Sequence, residues 1–223
     1  FVEHKLSDIA KSYANTHTTD DYTGETLTQL LHDAEKKIKK SAGATEEYKI
    51  IATGSGSTGA LKRLQEILGI YIPPHTKERI FNSISSLSCS GCDVMEKIKI
   101  DRPVVFIGPY EHHTNELMWR EAFAEIVVID LNENGEIDAE MFETEIKKDK
   151  YMNRVKYCSF SAGSNITGIL TDTRRLAKIA HENSAYIFFD FAAIAPYVKI
   201  NVSDDGLGYY DAVFYSPHKY LGG

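Results

Sequence analysis

The sequence predicts an α/β fold in which a mainly parallel sheet of the seven-stranded type lies between two layers of helices. Strand-like runs alternate with helical patterns from residue 48 onward, and this alternation is typical of parallel strands joined by crossover helices. Several runs are almost entirely apolar, as at residues 187–189, which indicates strands buried on both faces. A chain of 223 residues with 43% hydrophobic residues is long enough to bury such a core.

The N-terminal region, residues 1–45, is predicted to hold a segment and one long helix ahead of the main domain, residues 46–223. Apolar residues recur at helical spacing across residues 25–42, and Gly43 ends the pattern. The side chains expected to face inward are those of Leu27, Leu30, Leu31, Ala34 and Ile38. We expect this helix to pack across the sheet or against a partner subunit.

Strands and covering helices follow in turn along the main domain. The predicted strands are residues 48–52, 103–107, 125–129, 155–160, 185–189 and 211–215. Helices are predicted over residues 58–68 and 171–182, and Asp172 supplies a capping signal for the second. The apolar face of that helix consists of Leu176, Ile179 and Ala180. Because ligands of such sheets bind beyond the carboxyl ends of the strands, we expect the functional site there.

Charge and hydropathy argue against two classes of partner. The net charge is −7 and the only dense basic stretch, residues 36–40, fits one face of a helix, which disfavours a nucleic-acid partner. No apolar run approaches the roughly 18 residues of a membrane span, and the start lacks a secretory pattern. We therefore expect a cytoplasmic protein that binds neither nucleic acid nor membrane.

The three cysteines, Cys89, Cys92 and Cys158, are too few for a disulfide scaffold and favour a reducing compartment. Cys89 and Cys92 have the spacing of half a zinc site or of a redox motif, but no second ligand pair stands at suitable spacing. We interpret the pair as a loop feature and predict no metal. Cys158 falls in a predicted strand, where burial keeps a thiol protonated and unreactive.

A glycine-rich segment, residues 52–60, follows a predicted strand and opens a predicted helix. Free backbone N–H groups and the helix dipole make such a position an anion site, so we expect a phosphate to bind there. Gly54, Gly56 and Gly59 also match the dinucleotide fingerprint, which would indicate an NAD-binding Rossmann oxidoreductase. That reading needs a second strand ending in an acidic residue about 20 positions on, whereas residues 71–80 hold two prolines and no apolar run.

The same segment matches the first part of a nucleotide P-loop, but Ala60 and Leu61 occupy the positions of the required Lys and Ser or Thr. The segment therefore lacks the lysine cation that a P-loop uses to bind a triphosphate. A single phosphate monoester needs no such lysine.

Lys219 follows the last predicted strand in the segment 216–219, and Asp190 ends the strand before it. A lysine at a strand end can form an imine, a Schiff base, with an aldehyde cofactor, and a carboxylate on a neighbouring strand end can keep a pyridine nitrogen protonated. Together with the expected phosphate site, this pair predicts binding of pyridoxal 5′-phosphate.

The chain resembles the class V aminotransferase and cysteine desulfurase family, a group of fold-type I pyridoxal phosphate enzymes, from about residue 15 to residue 223. Five segments carry the resemblance in the order of the family. They are residues 55–58, 111–113, 164–168, 190–193 and 216–219.

The resemblance implies a role for each matching position. Ser57, Thr58, Ser216 and His218 would hold the phosphate of the cofactor. The residues around its ring would be His112, Asn165, Asp190 and Lys219. His112 would stack on the pyridine and move protons, Asn165 would bond the phenolic oxygen, Asp190 would pair with the ring nitrogen, and Lys219 would form the Schiff base.

Two positions depart from the family pattern. Ala193 stands where many desulfurases have Gln, and Pro217 stands where a Gly is usual, which removes a backbone donor. These differences weaken a specific desulfurase assignment more than the assignment of the cofactor.

The resemblance further implies a homodimer that acts on an amino acid, as a transferase or a lyase, and a small C-terminal domain beyond residue 223. We expect the 223-residue piece alone to show little turnover. The bond that is cleaved stays open at this stage. The alternative from a different class is a non-catalytic relative that acts as an interaction protein, which the joint presence of His112, Asp190 and Lys219 disfavours.

Overall fold

A parallel sheet of five strands forms the centre of the computed structural model, which describes residues 2–86, 97–98, 101–203 and 206–222. The strands are β1 (Val104–Ile107), β2 (Glu125–Val128), β3 (Lys156–Ser161), β4 (Ala185–Asp190) and β5 (Ala212–Phe214). They lie in the order β2-β1-β3-β4-β5, and every neighbouring pair is parallel. The predicted α/β class with a mainly parallel sheet is confirmed.

Helices precede the sheet and alternate with its strands. They are α1 (Val2–Ala10), α2 (Tyr22–Ser41), α3 (Gly56–Ile67), α4 (Pro74–Ser85), α5 (His113–Glu121), α6 (Ala139–Ile146) and α7 (Thr173–Glu182), with short 3-10 helices at Asp149–Tyr151 and Pro217–Lys219. The predicted cap of α7 is present, since the Asp172 carboxylate accepts a hydrogen bond of 3.1 Å from the N–H of Arg175.

The two faces of the sheet bury separate apolar clusters, which gives the molecule its three layers. On one face, Phe106 and Phe189 pack with Phe142 of α6 and with the predicted inner face of α7, including Leu176. The cluster on the other face joins Leu61 of α3, Val105, Trp119 of α5 and Phe188. Burying one such side chain stabilises the fold by about 1.5–3 kcal/mol.

The strand predicted at residues 48–52 is wrong, because this stretch is irregular. The Tyr48 hydroxyl lies 3.1 Å from the carbonyl oxygens of both Val202 and Tyr210, while Ile51 is 51% exposed. A β-prone run forms a strand only where a sheet edge accepts its backbone, and here the Tyr48 side chain makes the contact instead. The described residues therefore give five strands rather than a seven-stranded sheet.

The inward face predicted for the long N-terminal helix is also mostly wrong. Among the five apolar residues assigned to that face, only Leu27 is buried in α2, whereas Leu30 and Ile38 are 42% and 39% exposed. The helix ends as predicted, at Ser41, and Gly43 follows with a left-handed φ of +61°. In the described part of the chain, no helix has both the length and the apolar character needed to cross a membrane.

Candidate functional site

The sequence-predicted site residues gather at one edge of the sheet. Since all five strands are parallel, their carboxyl ends lie together, and the segments that follow β1, β3, β4 and β5 meet there. In the register of the sheet, Ser161 pairs with Asp190, and Asp190 pairs with Phe214. Asp190 and the segment that carries Lys219 thus come from adjacent strands.

The first turn of α3 lies against the segment that follows β5. The N–H of Ser57 donates a 3.0 Å hydrogen bond to Oγ of Ser216, and the hydroxyl oxygens of these two residues are also 3.0 Å apart. The hydroxyl of Thr58 lies 3.2 Å from that of Thr114 in the first turn of α5. The amino ends of two helices and several hydroxyl groups therefore border one small space.

Gly56 makes this close approach possible. Its φ is +59°, and a Cβ atom at this position would lie 2.8 Å from Oγ of Ser216 and 3.2 Å from Cε1 of His218. Only glycine adopts this conformation without strain and leaves the two side chains their space. Ser216 is buried and His218 is exposed.

The amino end of α3 suits an anion. Ser55 occupies the N-cap position and makes no side-chain capping hydrogen bond. Although the N–H of Ser57 already donates to Oγ of Ser216, the helix dipole favours negative charge at this end. The glycine segment thus opens a helix as predicted, although it follows an irregular stretch and not a strand.

Asp190 is a buried carboxylate at the end of β4, with 7% of its surface exposed. Its Oδ1 atom accepts a 2.8 Å hydrogen bond from the N–H of Ala192. Burial raises the pKa of Asp190, while the Ala192 N–H and the positive charges of His112 and Lys219 act in the opposite direction. His112, Asp190 and Lys219 are therefore within electrostatic range of one another.

His112 caps the amino end of α5. Its Nδ1 atom accepts a 3.3 Å hydrogen bond from the N–H of Thr114, and its ring lies 4.0 Å from the ring of His113. Burial lowers the pKa of His112, and the charges of His113 and Lys219 lower it further. The charge of Asp190 raises this pKa, but by less than burial lowers it. The lowered pKa favours the neutral ring, in which acceptance at Nδ1 assigns the proton to Nε2.

Lys219 ends the 3-10 helix Pro217–Lys219, and its side chain is exposed. Its backbone N–H donates a 3.0 Å hydrogen bond to the carbonyl of Ser216. No carboxylate of the described residues forms a salt bridge with its ammonium group. The amine is thus positioned by its backbone, without a salt-bridge partner in the part of the chain that the structure describes.

Asn165 is the predicted site residue that the structure does not join to the others. It is exposed in the loop after β3, and no hydrogen bond links it to another predicted site residue of the described chain. The neighbouring Ser164 forms the turn, since its Oγ accepts hydrogen bonds of 3.2 and 3.1 Å from the N–H groups of Ile166 and Thr167.

The contacts of Glu111, the residue before His112, were not predicted from the sequence. The Glu111 carboxylate accepts hydrogen bonds from Gly108, Asn115 and Ser161. Burial raises the pKa of Glu111 to about 7, against the effect of the bonds from Ser161 and Asn115, and Asp190 raises it further. The spacing of four residues between Glu111 and Asn115 could have revealed this contact at a helix start.

The residues at this edge fit pyridoxal phosphate in three respects. An uncapped helix end beside Ser216 suits a phosphate, the second oxygen of the buried Asp190 can meet a protonated ring nitrogen, and the Lys219 amine can meet an aldehyde. The dinucleotide alternative lacks support, because residues 74–85 form α4 where that fold needs a strand.

Two cysteine predictions have different outcomes. Cys158 lies fully buried in β3, and burial raises its pKa well above the usual value, as expected of an unreactive thiol. Cys89 and Cys92 lie outside the described residues.

Comparison with known proteins identifies the family and the fold. The family model described as "Aminotransferase class-V" matches residues 94–223. A probable cysteine desulfurase of Halalkalibacterium halodurans is 29% identical over 122 residues, which is 53% of this chain and 28% of that relative. A probable mitochondrial cysteine desulfurase of Dictyostelium discoideum is 22% identical over 95% of this chain and 40% of its own length.

Two solved structures share the fold. A cysteine desulfurase from Thermococcus onnurineus superposes with a TM-score of 0.71 at 19% identity, covering 98% of this chain and 46% of that one. A NifS-like protein from Rickettsia africae gives a TM-score of 0.70 at 20% identity, covering 100% and 51%. The chain thus spans about half the length of these structures.

Proposed function

Because the chain belongs to the aminotransferase class V family, we propose that it is the cofactor-binding part of a pyridoxal phosphate enzyme that acts on an amino acid through Lys219. The observation that carries the proposal is the meeting of Asp190, His112 and the Lys219 segment at the edge where α3 presents its uncapped amino end. Residues 46–223 would form the cofactor-binding domain.

In this proposal, the phosphate group binds at the first turn of α3. Ser57 and Thr58 would offer hydroxyl donors, and Ser216, which accepts from the N–H of Ser57, closes the same space from the other side with His218. Backbone and hydroxyl donors suit a monoester, because the helix dipole supplies the positive field that a lysine supplies in a P-loop.

The ring would bind between Asp190 and His112. When bound, the cofactor supplies an aldehyde for attachment and a protonated ring that accepts electrons from a bond at the substrate carbon. Asp190 would hold the proton on the ring nitrogen, and the neutral His112 would cover one face and shield it from water. Asn165 would donate to the phenolic oxygen.

Lys219 has two tasks in this proposal. Its amine would hold the cofactor through the aldehyde, and as a free amine it would move a proton at the α-carbon of the substrate. An exposed side chain without a salt-bridge partner among the described residues is free to make both movements.

L-Cysteine is the first substrate to test, since the relatives from Halalkalibacterium halodurans and Dictyostelium discoideum are both described as cysteine desulfurases. The family description supports amino-group transfer as the second activity. Cys158 does not serve as the sulfur acceptor in this proposal, because burial keeps its thiol protonated.

A homodimer and a cytoplasmic location complete the proposal. Exposed apolar residues support the dimer, since Ile166 beside Asn165 is 87% exposed and Tyr197 is 82% exposed, and a partner subunit would cover them. The low number of cysteines supports the location.

The test is to find where the cofactor attaches. The full-length protein is loaded with pyridoxal phosphate and treated with borohydride, which fixes an attached cofactor to its lysine, and the peptides are weighed by mass spectrometry. We expect the added mass on Lys219, its loss in Lys219→Ala, and no change in Lys199→Ala, an exposed lysine of the same chain. Labelling that persists in Lys219→Ala would overturn the proposal.

Turnover separates the possible activities. Formation of alanine from L-cysteine, with sulfide released when an added thiol reductant reduces the abstracted sulfur, would assign a desulfurase, and transfer of the amino group to a 2-oxo acid would assign an aminotransferase. Cofactor bound at Lys219 without turnover of any amino acid would contradict the enzymatic part and favour the interaction protein.

A further inference from the structure

The carboxylate of Glu111 lies at the centre of a polar network between three elements. Its Oε1 atom accepts hydrogen bonds from the N–H of Gly108 at 3.1 Å and of Ser161 at 2.9 Å. Its Oε2 atom accepts from Nδ2 of Asn115 at 2.6 Å and from Oγ of Ser161 at 2.7 Å. Four donors therefore converge on one side chain, from the loop after β1, from α5 and from β3.

Asn115 extends the network into the core. It is 1% exposed, and its Oδ1 atom accepts hydrogen bonds from Nε1 of Trp119 at 2.9 Å and from Oγ of Ser159 at 2.7 Å. These two bonds fix the orientation of the Asn115 amide, so its nitrogen must point toward Glu111. The network therefore requires an acceptor at Glu111.

The network lies directly beside the proposed ring site. His112 follows Glu111 in the chain, and Ser161 pairs with Asp190 in the register of the sheet. The same carboxylate thus holds the loop that carries His112 and the strand position next to Asp190. A ring between His112 and Asp190 would depend on the spacing that this carboxylate sets.

We propose that Glu111 is a positioning residue for the cofactor ring: its carboxylate joins the His112 loop to β3 at Ser161 and so sets the position of His112 relative to Asp190. The inference rests on the proposed function and adds to it a residue that does not touch the cofactor. Glu111 acts through Ser161 and through its chain neighbour His112.

The protonation behaviour of the Glu111 carboxyl group supports this role. Burial raises its pKa to about 7, and the charge of Asp190, the ionisable group that faces it from β4, contributes to the rise. Below pH 7 the carboxyl group gains a proton and can no longer accept from all four donors. The geometry of the ring site should therefore change with pH near neutrality.

The test compares two variants of the full-length protein that carry the same chemical change. Glu111→Gln replaces an acceptor oxygen with an NH2 group that faces donors. Glu125→Gln makes the same change in β2 at the opposite end of the sheet, where Glu125 accepts a 2.5 Å bond from Arg154. Both variants lose a hydrogen-bonded carboxylate, but Glu125 is partly exposed and only Glu111 adjoins the ring site.

Visible circular dichroism of bound pyridoxal phosphate reports the tilt of its ring, and titration with the cofactor gives its dissociation constant. We expect Glu111→Gln to weaken binding about tenfold or more, since a buried donor loses its acceptor. We also expect it to reduce the dichroism band and to abolish the dependence of that band on pH near 7. Glu125→Gln should leave all three unchanged.

A milder variant keeps the inference testable if Glu111→Gln does not fold. Ser161→Ala removes one donor hydroxyl and keeps the backbone bond to Oε1, so it should shift the dichroism band in the same direction by a smaller amount. An unchanged band and affinity in a folded variant, with the wild type binding cofactor, would overturn the inference and leave the proposed function standing. Failure of the wild type to bind cofactor would overturn both.

Discussion

The buried carboxylate of Asp190 lowers the stability of the folded chain, although the proposed cofactor site requires it. It is 7% exposed, and burial raises its pKa above the ordinary value of 3.8. Below pH 3.8 the group is protonated in both the folded and the unfolded chain. As the pH rises through the folded-state pKa, the folded chain must hold a charge in a poor solvent, so its stability relative to the unfolded chain declines.

Asp190→Asn should therefore stabilise the cofactor-free protein at neutral pH and weaken cofactor binding. Asn keeps the acceptor for the Ala192 N–H and removes the buried charge. We expect a higher melting temperature without cofactor, with a gain that shrinks toward pH 4, and about tenfold or greater loss of pyridoxal phosphate affinity, the scale of a charged hydrogen bond. Calorimetry across pH checks the first expectation, and a less stable variant at neutral pH would refute it.

Gly56 offers a second test of the proposed phosphate site at the first turn of α3. Gly56→Ala forces a left-handed φ of +59° on a residue with a Cβ and places that atom 2.8 Å from Oγ of Ser216. We expect a loss of about 1–2 kcal/mol in the free energy of unfolding and weaker cofactor binding. Gly54→Ala is the matched control, because a Cβ there meets nothing within 4 Å. Equal behaviour of the two variants in denaturant titrations would contradict the geometry.

Individual site residues were only partly predictable from the sequence. Asp190 and Lys219 stood out because each follows an apolar run, and a strand end is visible in a pattern of side chains. The four-donor environment of Glu111 was not visible, since Ser161 lies 50 residues away and meets it only after β1 and β3 pair. Contacts of this kind depend on the register of the sheet.

Most of the predicted strands and helices formed, whereas α1, α5 and α6 were not predicted, and the two predictions that failed have a common cause. β3, β4 and β5 match apolar runs, and α7 matches a capped amphipathic pattern. The run at residues 48–52 and the apolar face of α2 failed because local propensity does not say whether a neighbouring surface exists. Both errors lie before the first strand of the described sheet.

A variant of the α7 cap should change the stability of the fold without changing cofactor binding. Asp172→Ala removes the acceptor for the N–H of Arg175, and we expect a loss of about 1 kcal/mol in the free energy of unfolding. Cofactor affinity should not change, since α7 covers the sheet face at Leu176 and carries none of the proposed site residues. Asp172→Asn, which keeps a capping oxygen, should retain most of the stability. A cofactor defect in Asp172→Ala would show that α7 contributes to the site.

The whole molecule explains why five short and separate segments can act together. Each is unremarkable in sequence, but all except the glycine segment follow strands of one parallel sheet, and the glycine segment opens a helix that packs on the same sheet. Parallel topology therefore brings residues as distant as 57 and 216 to hydrogen-bonding distance. The fold class and the sheet edge at which the proposed site residues gather followed from the sequence, whereas the position of Asn165 did not.

The most direct test is a crystal structure of the full-length protein with pyridoxal phosphate. We expect the phosphate at the first turn of α3 beside Ser216, the ring nitrogen against Asp190, and the aldehyde carbon joined to Lys219. A cofactor bound elsewhere, or Asp190 and Lys219 facing separate cavities, would contradict it.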